Sequence, residues 1–406
     1  GVDDPSWSTS AAWFDLDLDG SLDLYVANYL DFDTRRPPKG SIDRVPCRWK
    51  GREVFCGPHG FPPSPDRVYR NLGDGRFEDV SRACGAHAVA PSYGLGVVAA
   101  DLDLDGDEEI YVANDSMPNF LFRNDAGTLV EVAVEAGVAL SETGLAQAGM
   151  GVDAGDFDGD GLPDLVVGNF SDEPTTLYRN AGGLLFDNAT YATGLGAPTL
   201  PFLSWGLSFL DFDLDADLDL LVANGHVYPQ ADDPDTGTAY RQRCQLFENL
   251  PGPAGRRFLE RRGGPEGALE SVRGGRGAAF GDVDDDGDTD GVVLPIDAAP
   301  ALLRNDAEAA GRIVLELRGV RSNRDALGAL VRIEAGGTRQ AREVRRNASF
   351  QSSNDPRLLF GLPGAGAARV EVRWPSGRVD SLGPLPAGRR YRLVEGAGIV
   401  ADEPLP

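Results

Sequence analysis

FDLDLDGSLDLYVAN, residues 14–28, sets four carboxylates and a glycine ahead of an apolar run that ends in Asn28. The pattern returns as ADLDLDGDEEIYVAN (100–114), GDFDGDGLPDLVVGN (155–169), LDFDLDADLDLLVAN (210–224) and GDVDDDGDTDGVVLP (281–295). Counted from the first aspartate, carboxylates fall at positions 1, 3, 5 and 9. They are Asp15, Asp17, Asp19 and Asp23; Asp101, Asp103, Asp105 and Glu109; Asp156, Asp158, Asp160 and Asp164; Asp211, Asp213, Asp215 and Asp219; and Asp282, Asp284, Asp286 and Asp290. Position 6 is Gly20, Gly106, Gly161 and Gly287, which permits a sharp turn, but Ala216 in the fourth loop.

Four like charges within nine residues repel one another unless a counter-ion sits among them. Asp and Gly make turns by themselves, yet five loops in one register exceed what turn chemistry requires. A hard divalent cation resolves the repulsion, and a flexible cage of carboxylates and carbonyls suits Ca²⁺ better than Mg²⁺. An EF-hand would need a Glu at position 12 followed by a helix. Position 12 here is Val26, Val112, Val167, Val222 and Val293, each inside a strand-like run, so that reading is rejected. Up to five structural Ca²⁺ ions are expected, with extracellular-type affinity of about 10⁻⁴–10⁻³ M. Catalysis by five equivalent loops is not expected.

The first aspartates are spaced by 86, 55, 55 and 71 residues, so a unit of about 55 residues carries insertions in its first and fourth copies. Each unit continues with a second run ending in Asn (Asn71, Asn124, Asn180, Asn249, Asn305), a turn such as Gly73-Asp74-Gly75, and another short strand. Four short strands per unit, with no 3.6-residue period, predict an all-β chain built of propeller blades. A stacked solenoid is the alternative. The fifth unit runs from LLRN straight on and lacks its last strand.

Composition divides the chain. The formal charge is -26, with 38 Lys+Arg against 64 Asp+Glu, yet the part from Gly311 onward nets +6 with 16 Arg and 10 acids. Residues 1–310 are expected to form the propeller, 311–398 a small β-sandwich-like domain and 399–406 a tail. The arginine-rich strands read first as a solvated face and second as a basic face docked on the acidic propeller. Nucleic acid is excluded as a main partner, since a phosphate backbone needs a concentrated basic surface. No run of 18 apolar residues exists to span a membrane. The chain starts at Gly1 without an initiator Met or signal pattern, and is read as processed or a fragment.

Cys47 and Cys56 bracket a short stretch that can close as a disulfide, implying an oxidising compartment, or remain two thiols. Cysteine ligation of metal is not expected, because no CxxC pair occurs and only His59, His87 and His226 accompany the cysteines. His226, in NGHVYP, reads as a turn residue. Asn188-Ala189-Thr190 and Asn347-Ala348-Ser349 match the glycosylation sequon.

The combination of aspartate loops and short strands resembles the FG-GAP/VCBS repeat family, whose calcium-loop propellers also occur in integrin α-subunits. A closer resemblance, to the ASPIC/UnbV group, is carried by FCGPHGFPPSPDRVYRNLGDGRFEDVS from Phe55, NDSMPNFLFRND from Asn114, MGVDAGDFDGDGLPDLVVGNFSDEPTTLYRN from Met150 and VANGHVYP from Val222. SNRDALGALVRIEAGG from Ser322, SFQSSNDPRLLFGLPG from Ser349 and VEVRWPSG from Val370 resemble the ASPIC/UnbV domain of the cartilage acidic protein-like family. The resemblance implies a propeller that generally has seven blades. One or two N-terminal blades are therefore expected to be missing, with a five-bladed ring as the alternative. It also implies an extracellular, periplasmic or cell-surface module that binds a protein or glycan ligand, calcium being structural. The competing reading is an enzyme or accessory protein of natural-product biosynthesis, as UnbV-type relatives suggest, with its site at the propeller channel. No catalytic residue is assigned.

Overall fold

The computed structural model describes residues 1–33, 35, 47–58, 60–252, 255–263, 267–307, 311–364 and 366–406. His59 lies outside them. Among the described residues, five antiparallel sheets follow one another along the chain. The first four have four strands each, led by Ser8–Phe14, Gly94–Ala100, Val152–Gly155 and Ser204–Leu210. The fifth has three, Gly275–Gly281, Asp290–Pro295 and Ala301–Leu303, so the last strand missing from the sequence pattern is missing from the sheet as well.

The register of the first two strands is the same in every blade. The residue before each loop faces the carboxylate at position 9: Phe14 opposite Asp23, Ala100 opposite Glu109, Gly155 opposite Asp164, Leu210 opposite Asp219 and Gly281 opposite Asp290. Each aspartate run is therefore the hairpin loop between the two innermost strands. All five position-12 valines lie in second strands, which removes the EF-hand alternative structurally.

Apolar side chains fill the spaces between blades. Phe14, Tyr25, Ile110 and Phe122 pack between the first and second; Tyr111, Val152, Leu165 and Tyr178 between the second and third. Leu177, Leu207, Leu220 and Phe247 lie between the third and fourth, and Leu246, Phe280 and Val293 between the fourth and fifth. Each fully buried aromatic or leucine contributes about 1.5–3 kcal/mol. Near the hub there is no room for side chains. A Cβ on Gly96 would stand 2.1 Å from the Met150 carbonyl, and one on Gly151 2.1 Å from that of Trp205.

The C-terminal part stacks two four-stranded sheets about a core of Ile313, Leu315, Val331, Val370, Trp374, Phe360 and Tyr391. The segment expected as a tail from residue 399 is instead part of the strand Gly398–Pro404, which pairs antiparallel with Arg389–Val394. Sheet pairing satisfies backbone groups that a tail would leave to water.

Both readings of the arginine-rich strands hold in part: Arg318, Arg321, Arg324, Arg339, Arg369, Arg378 and Arg392 are exposed, whereas another set docks on the aspartate-loop end of the propeller. Arg373 pairs with Asp101, Arg342 with Asp211 at 3.4 Å, Arg345 with Asp153 at 3.6 Å, and Arg357 and Arg390 with Asp285 at 2.7 Å each. From this domain a small hairpin, Asn347–Ala348 with Ser352–Ser353, enters the hub. The Ser349 N–H donates to the Val152 carbonyl at 2.7 Å, and Phe350 meets Trp205 edge-on at 4.6 Å. Asn347 is thereby buried, so its sequon offers no accessible acceptor.

Candidate metal centres

Each hairpin loop curls its carboxylates inward through a left-handed backbone at two places. Position 4 has φ of 56° at Leu18, 64° at Leu104, 76° at Gly159, 60° at Leu214 and 62° at Asp285. Position 6 has φ between 83° and 114°, and Ala216 adopts 83° as the glycines of the other loops do. The fourth loop thus keeps the common shape at a steric cost of about 1–2 kcal/mol for its Cβ.

Five carboxylate groups converge, with one oxygen from each residue lying within 4.8 Å of the others. In loops two to five they come from positions 1, 3 and 9: Asp101, Asp103 and Glu109; Asp156, Asp158 and Asp164; Asp211, Asp213 and Asp219; Asp282, Asp284 and Asp290. In the first loop Asp15 and Asp17 converge with Asp19, and Asp23 stands outside the group. Asp105, Asp160, Asp215 and Asp286, at position 5, also stand outside. Their Oδ1 atoms accept the backbone N–H two residues on, at Asp107, Leu162, Asp217 and Asp288, and so close the turn.

Position 9 has a second duty that its spacing did not reveal. One carboxylate oxygen accepts the N–H of position 2 and the other accepts the N–H of the asparagine ending the third strand. Asp164 takes Phe157 at 3.0 Å and Asn180 at 2.7 Å; Asp219 takes Phe212 at 3.1 Å and Asn249 at 2.8 Å. Asp23, Glu109 and Asp290 do the same. The repeated asparagine then donates from Nδ2 to the position-2 carbonyl of the preceding blade: Asn124 to Leu16, Asn180 to Leu102, Asn249 to Phe157 and Asn305 to Phe212. These asparagines tie blade to blade at the level of the loops. Their recurrence in the sequence was the signal, though not of the role.

Burial is costly for these groups. It raises the Asp23 carboxyl to about 6, Asp219 to about 8, Asp164 to about 9 and Glu109 to about 10; neighbouring loop acids push the same way and the backbone N–H groups pull back. Asp17, Asp101, Asp211, Asp213 and Asp282 each keep a buried Oδ1 with no hydrogen-bond partner. Asp107 and Asp288, at position 7, do the same, so orphaned carboxylate oxygens occur in every loop but the third and fit a positive ion as their missing partner. The donor set is entirely oxygen, which suits a hard divalent cation rather than zinc or copper.

At the opposite end of the propeller, Cys47 and Cys56 form a disulfide that closes a hairpin, Cys47–Trp49 with Arg52–Val54. This hairpin reaches from the first blade to the third and fourth. Lys50 Nζ bonds Asp172 at 2.8 Å and the Thr236 carbonyl at 2.6 Å, while Arg52 pairs with Asp233 at 3.1 Å. Trp49 packs on His226 with centroids 4.7 Å apart. His226 is fully buried; its Nδ1 accepts the Tyr228 N–H and its Nε2 faces Ser171 Oγ, both at 3.0 Å. Burial, with the charges of Arg276 and Lys50, lowers its pKa to about 4, so it is a neutral structural residue.

Known proteins bear on this architecture. A family model described as FG-GAP-like repeat matches residues 52–112, 101–167 and 156–222, and one described as ASPIC and UnbV matches 319–400. Cartilage acidic protein 1 of Homo sapiens is 28% identical over 301 residues, 71% of this chain and 42% of that protein. The Xenopus tropicalis protein of that name is 26% identical over 397 residues, 91% of this chain and 52% of its own length. The chain thus spans about half the length of these relatives. An Agrocybe aegerita lectin described as recognising non-reducing terminal N-acetylglucosamine superposes with a TM-score of 0.29 at 16% identity, over 74% of this chain and 91% of the lectin. Rhamnogalacturonan lyase YesX gives 0.32 at 14%, over 92% and 71%. Scores this low carry no argument. The repeated sheets and the two family matches together place the chain among the FG-GAP-like repeat β-propeller proteins that carry an ASPIC and UnbV domain.

Proposed function

We propose that this chain is a calcium-dependent interaction module of an extracytoplasmic compartment, whose ions hold the propeller rigid for a protein or glycan ligand. The observation that carries the reading is the set of buried carboxylate oxygens left without partners in the loops. Asp15, Asp17 and Asp19 in the first loop, and the acids at positions 1, 3 and 9 of the other four, would hold the ions, and loop carbonyls and water would complete an oxygen shell. Ca²⁺ supplies charge neutralisation and cross-links each loop. Five bound ions would bring the formal charge from -26 to about -16.

The disulfide supports an oxidising location, and the likeness to cartilage acidic protein 1 supports an extracellular one. Among the described residues, no helix is long and apolar enough to cross a membrane. Calorimetric titration with Ca²⁺ should show uptake by up to five sites with Kd of about 10⁻⁴–10⁻³ M. No uptake at millimolar Ca²⁺ would overturn the reading.

A further inference from the structure

The C-terminal domain touches the loops unequally. Arg373 Nη2 donates to Asp101 Oδ2, and its Nη1 donates to the Leu104 carbonyl at 2.9 Å. Arg342 Nη2 donates to Asp211 Oδ2 at 3.4 Å, which also accepts the Gly361 N–H at 3.3 Å. In both aspartates the remaining oxygen, Oδ1, is buried without a partner inside a converging carboxylate group. Asp101 is 3% exposed and Asp211 1%. One oxygen is thus fixed by the C-terminal domain while the other is held for a cation. The third loop differs: its Asp156 carboxylate accepts only its own loop's N–H groups, from Gly159 at 2.8 Å and Gly161 at 2.9 Å, among the hydrogen bonds described.

We propose that Arg373 and Arg342 are positioning residues for the second and fourth metal loops, so that cation binding and docking of the C-terminal domain strengthen each other. The proposal rests on the calcium reading above. Its sign follows from shape and charge together. The docked domain grips loop backbone as well as carboxylates: Arg373 holds the carbonyl of left-handed Leu104, and Gly361 lies so near the carbonyl of left-handed Leu214 that a Cβ would stand 2.4 Å away. Without an ion, mutual repulsion opens these loops and removes the surface that the domain reads. Guanidinium–cation repulsion opposes the coupling but does not reverse it. The second loop carries Asp101, Asp103, Asp105, Asp107 and Glu109, and the fourth carries Asp211, Asp213, Asp215, Asp217 and Asp219. Each therefore stays net negative, and attractive to arginine, after a divalent ion binds. By linkage, whatever the ion does for docking, docking does for the ion.

The test compares the full-length wild type with the R373A/R342A double variant by Ca²⁺ titration and by hydrogen exchange. In the variant, two sites should weaken by about tenfold or more, the range for lost groups that orient metal ligands. The third loop, whose Asp156 feels the Arg342 charge without a hydrogen bond to it, should change least of the three, and Arg→Lys at both positions should restore part of the affinity. Independently of any variant, chelation of the wild type should speed exchange in residues 347–362. There the Ser349 and Asp355 N–H groups donate to Val152 and Phe280 of the propeller. Equal affinities in variant and wild type, or unchanged exchange on chelation of a protein that does bind Ca²⁺, overturns the coupling alone. A wild type that takes up no Ca²⁺ overturns the calcium reading and the coupling with it.

Discussion

The two halves of the molecule treat a buried carboxylate in opposite ways. In the C-terminal domain Glu395 is 6% exposed, and every approach to it is a donor. Its Oε2 accepts the N–H groups of Val320, Arg321 and Ser322 at 2.7–2.9 Å, and its Oε1 accepts the Ser376 hydroxyl. Burial alone would raise its pKa; the Ser376 hydroxyl and the three N–H groups more than offset that and hold it at about 2. In the propeller loops the carboxylates face one another, their pKa values are driven upward, and oxygens are left without partners. A carboxylate can be buried if the chain supplies its donors. Otherwise it must be neutralised, by a proton or by a cation, and the calcium reading gives the first part of the molecule the cation.

Chelation should separate the halves most strongly. At a Ca²⁺ concentration ten times Kd each loop gains about 1.4 kcal/mol, and five loops about 7 kcal/mol in all. Calorimetry with and without chelator should show this as a large fall in the propeller's melting temperature; an unchanged trace would break the comparison.

Glu395→Gln comes next, costing the C-terminal domain about 2 kcal/mol through lost charge-assisted hydrogen bonds. Its folded pKa lies below the unfolded value, so the stabilisation is present above about pH 4.5 and disappears as pH falls through 2. Denaturant midpoints of wild type and variant should therefore differ clearly at pH 7 and much less at pH 2.5. The same loss with and without Ca²⁺ is expected.

Asp164→Asn should behave otherwise. With saturating Ca²⁺ it should cost about 1.4 kcal/mol, a tenfold loss of affinity at the third loop. In chelator it should be neutral to within about 1 kcal/mol, because burial pushes the ion-free carboxyl up to about 9 and the amide then replaces a largely neutral acid. Equal effects in both conditions would mean that Asp164 serves only its two backbone partners. The smallest effect is expected at the fourth loop, where Ala216→Gly should stabilise by about 1 kcal/mol by relieving the left-handed Cβ, measured as a shift of the urea midpoint.

These contrasts also mark how far the sequence could be read. The loops were legible because every blade repeats the same local hairpin, and Asp15, Asp101, Asp156, Asp211 and Asp282 announce one another. Position 5 converges with its loop's other acids only at Asp19; in the other four loops it closes the turn, a difference that spacing alone does not carry. The asparagines at 124, 180, 249 and 305 were visible as a pattern, but their bond to the preceding blade became apparent only once the blades were packed.

What occurs once could not be read by repetition. Asp101 and Arg373 are 272 residues apart, and Asp211 and Arg342 131 apart, so neither pairing leaves a period in the chain. Nothing in the sequence marks the hairpin at Asn347–Ser353 as the piece that enters the hub, and the strand at Gly398–Pro404 reads as a tail until it meets its partner. By itself the sequence determined the all-β repeat, the hairpin register and the carboxylates of each loop, because those depend on residues within about one unit of one another. The tertiary structure alone decided which carboxylates accept a hydrogen bond from a C-terminal arginine and what fills the hub. Those outcomes depend on how separately encoded surfaces meet, and alternation and spacing within a segment do not encode that meeting.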